Sequence, residues 1–156
     1  MFEIRKDITD ANTPVYTIST AAHLLGISIP TLRMYEKEGL IIPYKKESNQ
    51  RRYSQNDLYR VKCIRETINR DKISIAGIKR ILALIPCWDI LKCTVDNRNN
   101  CLAFQDHTKP CWNHNHTTGI CGTKKCRECD VYSKFAECAK IKDFLIKLTL
   151  NRNSIN

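Results

Sequence analysis

YTISTAAHLLGISIPTLRMYEKEGLIIPYKKESNQRRYSQNDLYRVKCIRE, residues 16–66, is punctuated as two short helices, a hairpin and a longer helix. Ser19 is placed to cap a helix over Thr20–Leu25, and Gly26 to end it, since glycine takes the left-handed backbone that a helix C-cap needs. Ser28 then caps a second helix, Ile29 to about Glu38, closed by Gly39. The three- or four-residue turn between them has the length of a helix-turn-helix. Ala22 is small enough to let the two helices cross closely, and Leu32 fills the angle between them. After Gly39, Leu40-Ile41-Ile42-Pro43 leads into Tyr44–Tyr53, two basic arms around a polar turn, the pattern of a wing. Ser54 caps a third helix through Ile68, with Leu58, Val61, Ile64 and Ile68 three or four residues apart.

Further along, Ser74 caps a fourth helix over Ile75–Leu84, with Ile75, Ile78, Ile81, Leu82 and Ile85 on its inner face, and Pro86 stops it. The chain divides there. Eight of its nine cysteines fall within residues 87–138, together with His107, His114 and His116 and clusters of Asn, Thr and Gly. From about Val131 to Asn151 helical periodicity returns: Val131, Phe135, Cys138, Ile141, Leu145 and Leu148 recur at three or four residues. Such an amphipathic helix either pairs with its twin or packs on its own domain.

Composition bounds the class. The 156 residues are 42% apolar and 27% charged, a globular balance, and Gly and Pro number only five each. The longest nearly apolar run, Ile81–Leu91, is broken by Pro86 and Asp89, and a membrane span needs about 20 apolar residues. The N-terminal MFEIRKDITDANTP lacks the apolar core of a secretory signal, so a cytoplasmic protein with no membrane partner is expected. Net charge is +10, and both parts contribute: 15 Lys/Arg against 9 Asp/Glu in residues 1–86, and 11 against 7 in residues 87–156. That balance favours a polyanion partner, with a merely basic surface as the plain alternative.

The run quoted above, with ISIAGIKRILALI after it, resembles the DNA-binding domain of MerR-type transcriptional regulators over residues 15–85, and the TLRxYExEGL…RRY combination is highly specific. Two positions depart from the family pattern. Met34 stands where a second tyrosine usually precedes Tyr35, and the wing turn reads Ser48-Asn49-Gln50 in place of a glycine-bearing turn; Asn tolerates positive φ, so the turn can still form. The resemblance implies a winged helix-turn-helix that binds double-stranded promoter DNA as a homodimer at pseudo-palindromic sites, distorts an overlong spacer, and works with RNA polymerase. It also implies a long dimerisation helix directly after the domain, where this chain has Pro86-Cys87-Trp88.

The residues support a DNA-facing surface. Ser28, Thr31 and Tyr35 fall on one stripe of the second helix, suited to phosphates or base edges in the major groove. Arg33 either reaches a flanking phosphate or pairs with Glu36 three residues on. Lys45, Arg51, Arg52 and Tyr53 suit a wing that grips backbone or minor groove. Cys63, on the third helix, is read as a small core residue.

The remaining cysteines are spaced Cys87-x5-Cys93-x7-Cys101-x9-Cys111-x9-Cys121-x4-Cys126-x2-Cys129-x8-Cys138. Pro-Cys-Trp occurs at 86–88 and again at 110–112, the mark of a degenerate internal repeat. With no export signal, such a cluster argues for metal or redox chemistry over a disulfide framework. Thiolates are soft ligands for zinc, copper(I) and iron–sulfur clusters, and Cys126-x2-Cys129 chelates one metal from a tight turn. Cys87, Cys93, Cys101, Cys111, Cys121, Cys126 and Cys129 are the candidate ligands of an iron–sulfur cluster or zinc. His107, His114 and His116 are read as solvated, and Trp88 and Trp112 as shields against water. The paired motifs, ending in Cys126 to Tyr132, resemble the small two-CW cysteine-rich modules attached to signalling and regulatory proteins.

Together these readings predict a mainly α protein: a flexible N-terminus (1–14), a MerR-like winged helix-turn-helix (15–85), a small irregular metal-stabilised Cys-rich module (86–130), and a C-terminal amphipathic helix and tail (131–156). The module senses metal or redox state, or is purely structural zinc. A small iron–sulfur or thiol oxidoreductase with a DNA-binding arm is the enzymatic rival. The sequence carries no Gly-rich phosphate loop and no nucleophile–base pair at motif spacing, so no enzyme is expected.

Overall fold

The computed structural model of the protein describes residues 10–117, 119–135 and 140–153. These residues form nine α-helices, two 3-10 turns and one three-stranded antiparallel sheet, so the fold is mainly helical. The chain divides into two compact units, Met1–Lys72 and Ile73–Asn156. The division expected at Pro86 falls inside the second of them.

In the first unit the order is β1 (Tyr16–Thr17), α1 (Ile18–Leu25), α2 (Ile29–Lys37), β2 (Tyr44–Lys45), β3 (Arg51–Tyr53) and α3 (Gln55–Asn69). Ser19 does not cap the first helix. Thr17 does, its hydroxyl accepting from the Thr20 N–H at 3.1 Å, because the chain leaves β1 with Thr17 already extended. Gly26 ends α1 in the left-handed conformation at φ 62°, and the Arg65 guanidinium on α3 donates to the Leu25 carbonyl at 2.7 Å. This places a cation at the negative end of the helix dipole. Ser28 caps α2 as expected, and Ser54 caps α3 in a reciprocal capping box with Asp57.

The wing is β2 and β3, paired Tyr44 with Arg52 and Lys45 with Arg51, around a turn in which Asn49 takes φ 61°. The sequence reading misses β1, which lies on the other side of β3 and pairs Tyr16 with Tyr53. Ala21, Leu32, Leu40, Tyr53 and Val61 are fully buried and form the heart of this unit's core. Burying a leucine of this kind contributes about 2 kcal/mol each.

The second unit opens with α4 (Ile75–Ala83), capped by Ser74 as expected. It continues as short pieces: α5 (Cys87–Ile90), α6 (Val95–Asn99), α7 (Leu102–Gln105), 3-10 turns at Cys111–Asn113 and Cys126–Glu128, then α8 (Asp130–Ser133) and α9 (Lys140–Asn153). The continuous helix expected from Val131 does not form. After α8 the chain turns at Lys134–Phe135, with Val131, Tyr132 and Phe135 all buried. Cys138 and the side chain of Ile141, both members of the expected stripe, lie outside the described residues. Leu145, Ile146 and Leu150 are exposed on α9.

Candidate nucleic-acid interface and thiol module

The exposed start of α2 carries Ser28 and Thr31, whose hydroxyls lie 2.8 Å apart while Ser28 also accepts from the Thr31 N–H at 3.1 Å. Arg33 is exposed on the same helix. It does not pair with Glu36. The Glu36 carboxylate, only 9% exposed, instead binds Arg51 Nε at 2.6 Å through one oxygen and accepts from the Tyr53 hydroxyl through the other. Glu36 therefore ties α2 to the wing. Burial, and then this hydrogen bond, push the Tyr53 hydroxyl well above the ordinary tyrosine range. The same carboxylate raises the Arg51 guanidinium.

Two residues of the expected DNA-facing set are consequently placed elsewhere. Tyr53 is fully buried and is a core residue, and Tyr35 is 5% exposed, its body packed in the core. The signal was available in strand alternation: Arg51 and Tyr53 share one face of β3, and Arg52 points from the other. Lys45 is exposed, and Arg51 and Arg52 are half-buried. Arg33, Arg51 and Arg52 come together around a cleft of about 510 Å³, with Thr17, Ser19, Asn49 and Gln50 completing its wall. These arginines give the cleft beside the start of α1 a basic lining suited to phosphate oxygens, with the Arg51 Nε itself held by Glu36. Thr17 and Ser19 are members that sequence reasoning does not single out for this role.

The second unit gathers thiols. Pro86 and Pro110 are fully buried, and each starts a turn that carries its Cys-Trp pair. Trp88 meets Phe104 edge-on, with ring centroids 5.3 Å apart and planes at 88°; Trp112 meets Tyr132 with the same separation and angle. The repeated motif thus builds two matched aromatic elements. Cys87, Cys93, Cys101, Cys111, Cys121, Cys126 and Cys129 are free and half-buried. Cys63 stands apart: it is half-buried on α3 and disulfide-bonded, where the sequence suggests a small core residue.

A cavity of about 520 Å³ is lined by Cys87, Cys93, Cys101, Cys111 and Cys121. A much smaller void of about 20 Å³ touches Cys111, Cys121, Cys126 and Cys129. Cys87 and Cys111 share a hydrogen bond, which lowers the Cys87 thiol and raises that of Cys111, so Cys87 ionises first and Cys111 keeps its proton. Burial pushes Cys121 up to about 11, and it raises Cys93 and Cys126 as well. The seven free thiols are a soft donor set, from which a bound metal would displace the protons. Among the described residues, no three His, Cys, Asp or Glu side chains close on one point as a single ion requires.

The histidines differ from expectation. His107 is exposed, but the His114 side chain is only 6% exposed, with Nε2 3.6 Å from Asp106 Oδ2, and desolvation lowers its pKa. His116 is half-buried and donates from Nε2 to the Cys111 carbonyl at 2.7 Å, bracing the second Cys-Trp turn.

A short turn between two capped helices, with a two-stranded wing behind them, defines the winged helix-turn-helix class. Residues 16–85 match the family described as MerR HTH family regulatory protein, and this segment is a MerR-family helix-turn-helix domain. The chain is similar to a protein described as heat shock protein HspR of Streptomyces coelicolor, 41% identical over 73 residues, 47% of this chain and 48% of that one. It is 41% identical over 68 residues to the HTH-type transcriptional regulator ZntR homolog of Haemophilus influenzae, covering 43% of this chain and 50% of that one. To the HTH-type transcriptional regulator GlnR of Bacillus cereus it is 27% identical over 73 residues, 47% of this chain and 56% of that one. The chain spans about half the length of the curated relatives it matches. No solved structure gives a significant match. No helix among the described residues is long and apolar enough to cross a membrane.

Proposed function

We propose that the protein is a sequence-specific, DNA-binding transcriptional regulator whose thiol module binds a soft metal or iron–sulfur group and adjusts DNA binding to metal or redox state. The observation that carries the first half is the joined recognition helix and wing, with Arg33, Arg51 and Arg52 around one cleft, inside a segment that matches a regulator family. In this reading α2 enters the major groove by its N-terminal turn. The cleft holds a backbone phosphate, and Lys45 and Arg52 follow the flanking strand. By family likeness the protein acts as a homodimer on pseudo-palindromic promoter DNA, in the cytoplasm and with RNA polymerase, and catalyses no reaction.

The second half rests on seven free, half-buried thiols gathered in one unit, a soft donor set that a purely apolar module has no use for. Bound there, such a group would supply charge that changes with metal supply or redox state, and Cys87, Cys93, Cys101, Cys111, Cys121, Cys126 and Cys129 would hold it. The similarity to the ZntR homolog covers less than half of this chain, so it supports the DNA-binding half first.

Selection of bound sequences from a random duplex pool tests the reading and requires no known operator. Enrichment of one inverted repeat, lost in an Arg33→Ala, Arg52→Ala double variant, is expected; binding without sequence enrichment would contradict it.

A further inference from the structure

We propose that the cavity walled by Cys87, Cys93, Cys101 and Cys121 seats an iron–sulfur cluster, with these four thiols as its ligands, in preference to a single zinc ion. The proposal deepens the metal-binding reading of the thiol module given above and rests on it. A structural zinc site draws its sulfurs to about 2.3 Å from one point and leaves no void between them. Here Cys87, Cys93, Cys101, Cys111 and Cys121 line a space of about 520 Å³, far larger than one ion fills between its ligands. A polynuclear group has its own irons and sulfides between the protein sulfurs, so its ligands stand apart around a chamber.

The four thiols arrive from four separate segments. Cys87 opens α5, Cys93 follows it, Cys101 directly precedes α7, and Cys121 sits in the turn that the Gly122 N–H closes on the Gly119 carbonyl at 3.2 Å. Cys111 lies on the same wall but is grouped differently. It also borders the smaller void together with Cys126 and Cys129.

Part of the wall fits the same group. Trp88 and Phe104, locked edge-on, and Ile120 present apolar surface beside a cluster, and Arg98 faces the negative charge of four thiolates, with Asp96 and several amide side chains completing the lining. Ligation releases one proton from each thiol to solvent.

The test is the composition of the full chain purified without oxygen. About two or about four irons per chain, with equal acid-labile sulfide and visible charge-transfer absorption, are expected. Cys93→Ser, Cys101→Ser and Cys121→Ser should each abolish the absorption, and Cys126→Ser should retain it. Stoichiometric zinc without sulfide would overturn the proposal, as would failure to take up iron and sulfide on anaerobic reconstitution. Loss of the cluster in Cys126→Ser with retention in Cys93→Ser would overturn the ligand assignment. Zinc in a protein that still selects an inverted repeat refutes the cluster alone, whereas a cluster-bearing protein that selects no sequence refutes the regulator reading.

Discussion

The two units are stabilised by different means. The first buries Leu32, Leu40, Ile41, Tyr53 and Val61 at the centre of capped helices, and its α3 runs fifteen residues. Among the described residues between Pro86 and Ser133 most helices are four residues long and none exceeds five, and the stretch carries seven free thiols. Helices this short are unstable on their own, because nucleation costs more than the few hydrogen bonds return. In the proposed reading the first unit stands on its own core, and the thiol module depends on what its cysteines hold. A fold that needs its ligand is well suited to report on that ligand.

The sharpest way to break this comparison is to strip the metal. Both tryptophans of the chain, Trp88 and Trp112, lie in the thiol module, so their fluorescence reports on that region alone. Chelation without oxygen and without added thiol should red-shift the emission and abolish amide protection over residues 87–133, with protection of α1–α3 unchanged. Joint loss of protection in both units would show that the first is not self-sufficient.

Next in size is Leu32→Ala, which opens a cavity in the first unit's core and should cost about 3 kcal/mol of its stability, read by denaturant unfolding, with metal content unaltered. Glu36→Ala should cost about 2 kcal/mol, because it leaves the buried Tyr53 hydroxyl without its acceptor and releases Arg51. The same variant should weaken DNA binding about tenfold, since that is the factor corresponding to about 1.4 kcal/mol of lost wing positioning. Unchanged binding would show that Glu36 serves the core only. The smallest effect is Gly26→Ala: a Cβ there meets nothing within 4 Å, so only the left-handed backbone is strained, at about 1 kcal/mol.

How far the sequence could be read follows the same division. In the first unit each helix carries its own boundary residues, so Ser28, Ser54, Ser74 and Gly26 are legible one by one. What escapes notice there is non-local. β1 is two residues long and exists only through its pairing with β3, and that pairing moves the first cap from Ser19 to Thr17. Glu36 binds a residue fifteen positions away, which no i+3 rule anticipates. In the thiol module the repeat of Pro-Cys-Trp does foretell two equivalent elements, and the matched ring pairs realise it. Spacing cannot say which thiols group together, because irregular chain between cysteines imposes no period. Burial of His114 likewise has no local signal.

The most direct test of coupling between the two regions is the affinity of the full chain for one selected duplex, measured without oxygen before and after metal removal. A sensor should change its affinity by at least about fivefold, the lower end of ordinary allosteric coupling, or shift its footprint across the spacer. Identical affinity and footprint in both states would contradict the sensing role and leave the thiol module as a structural appendage.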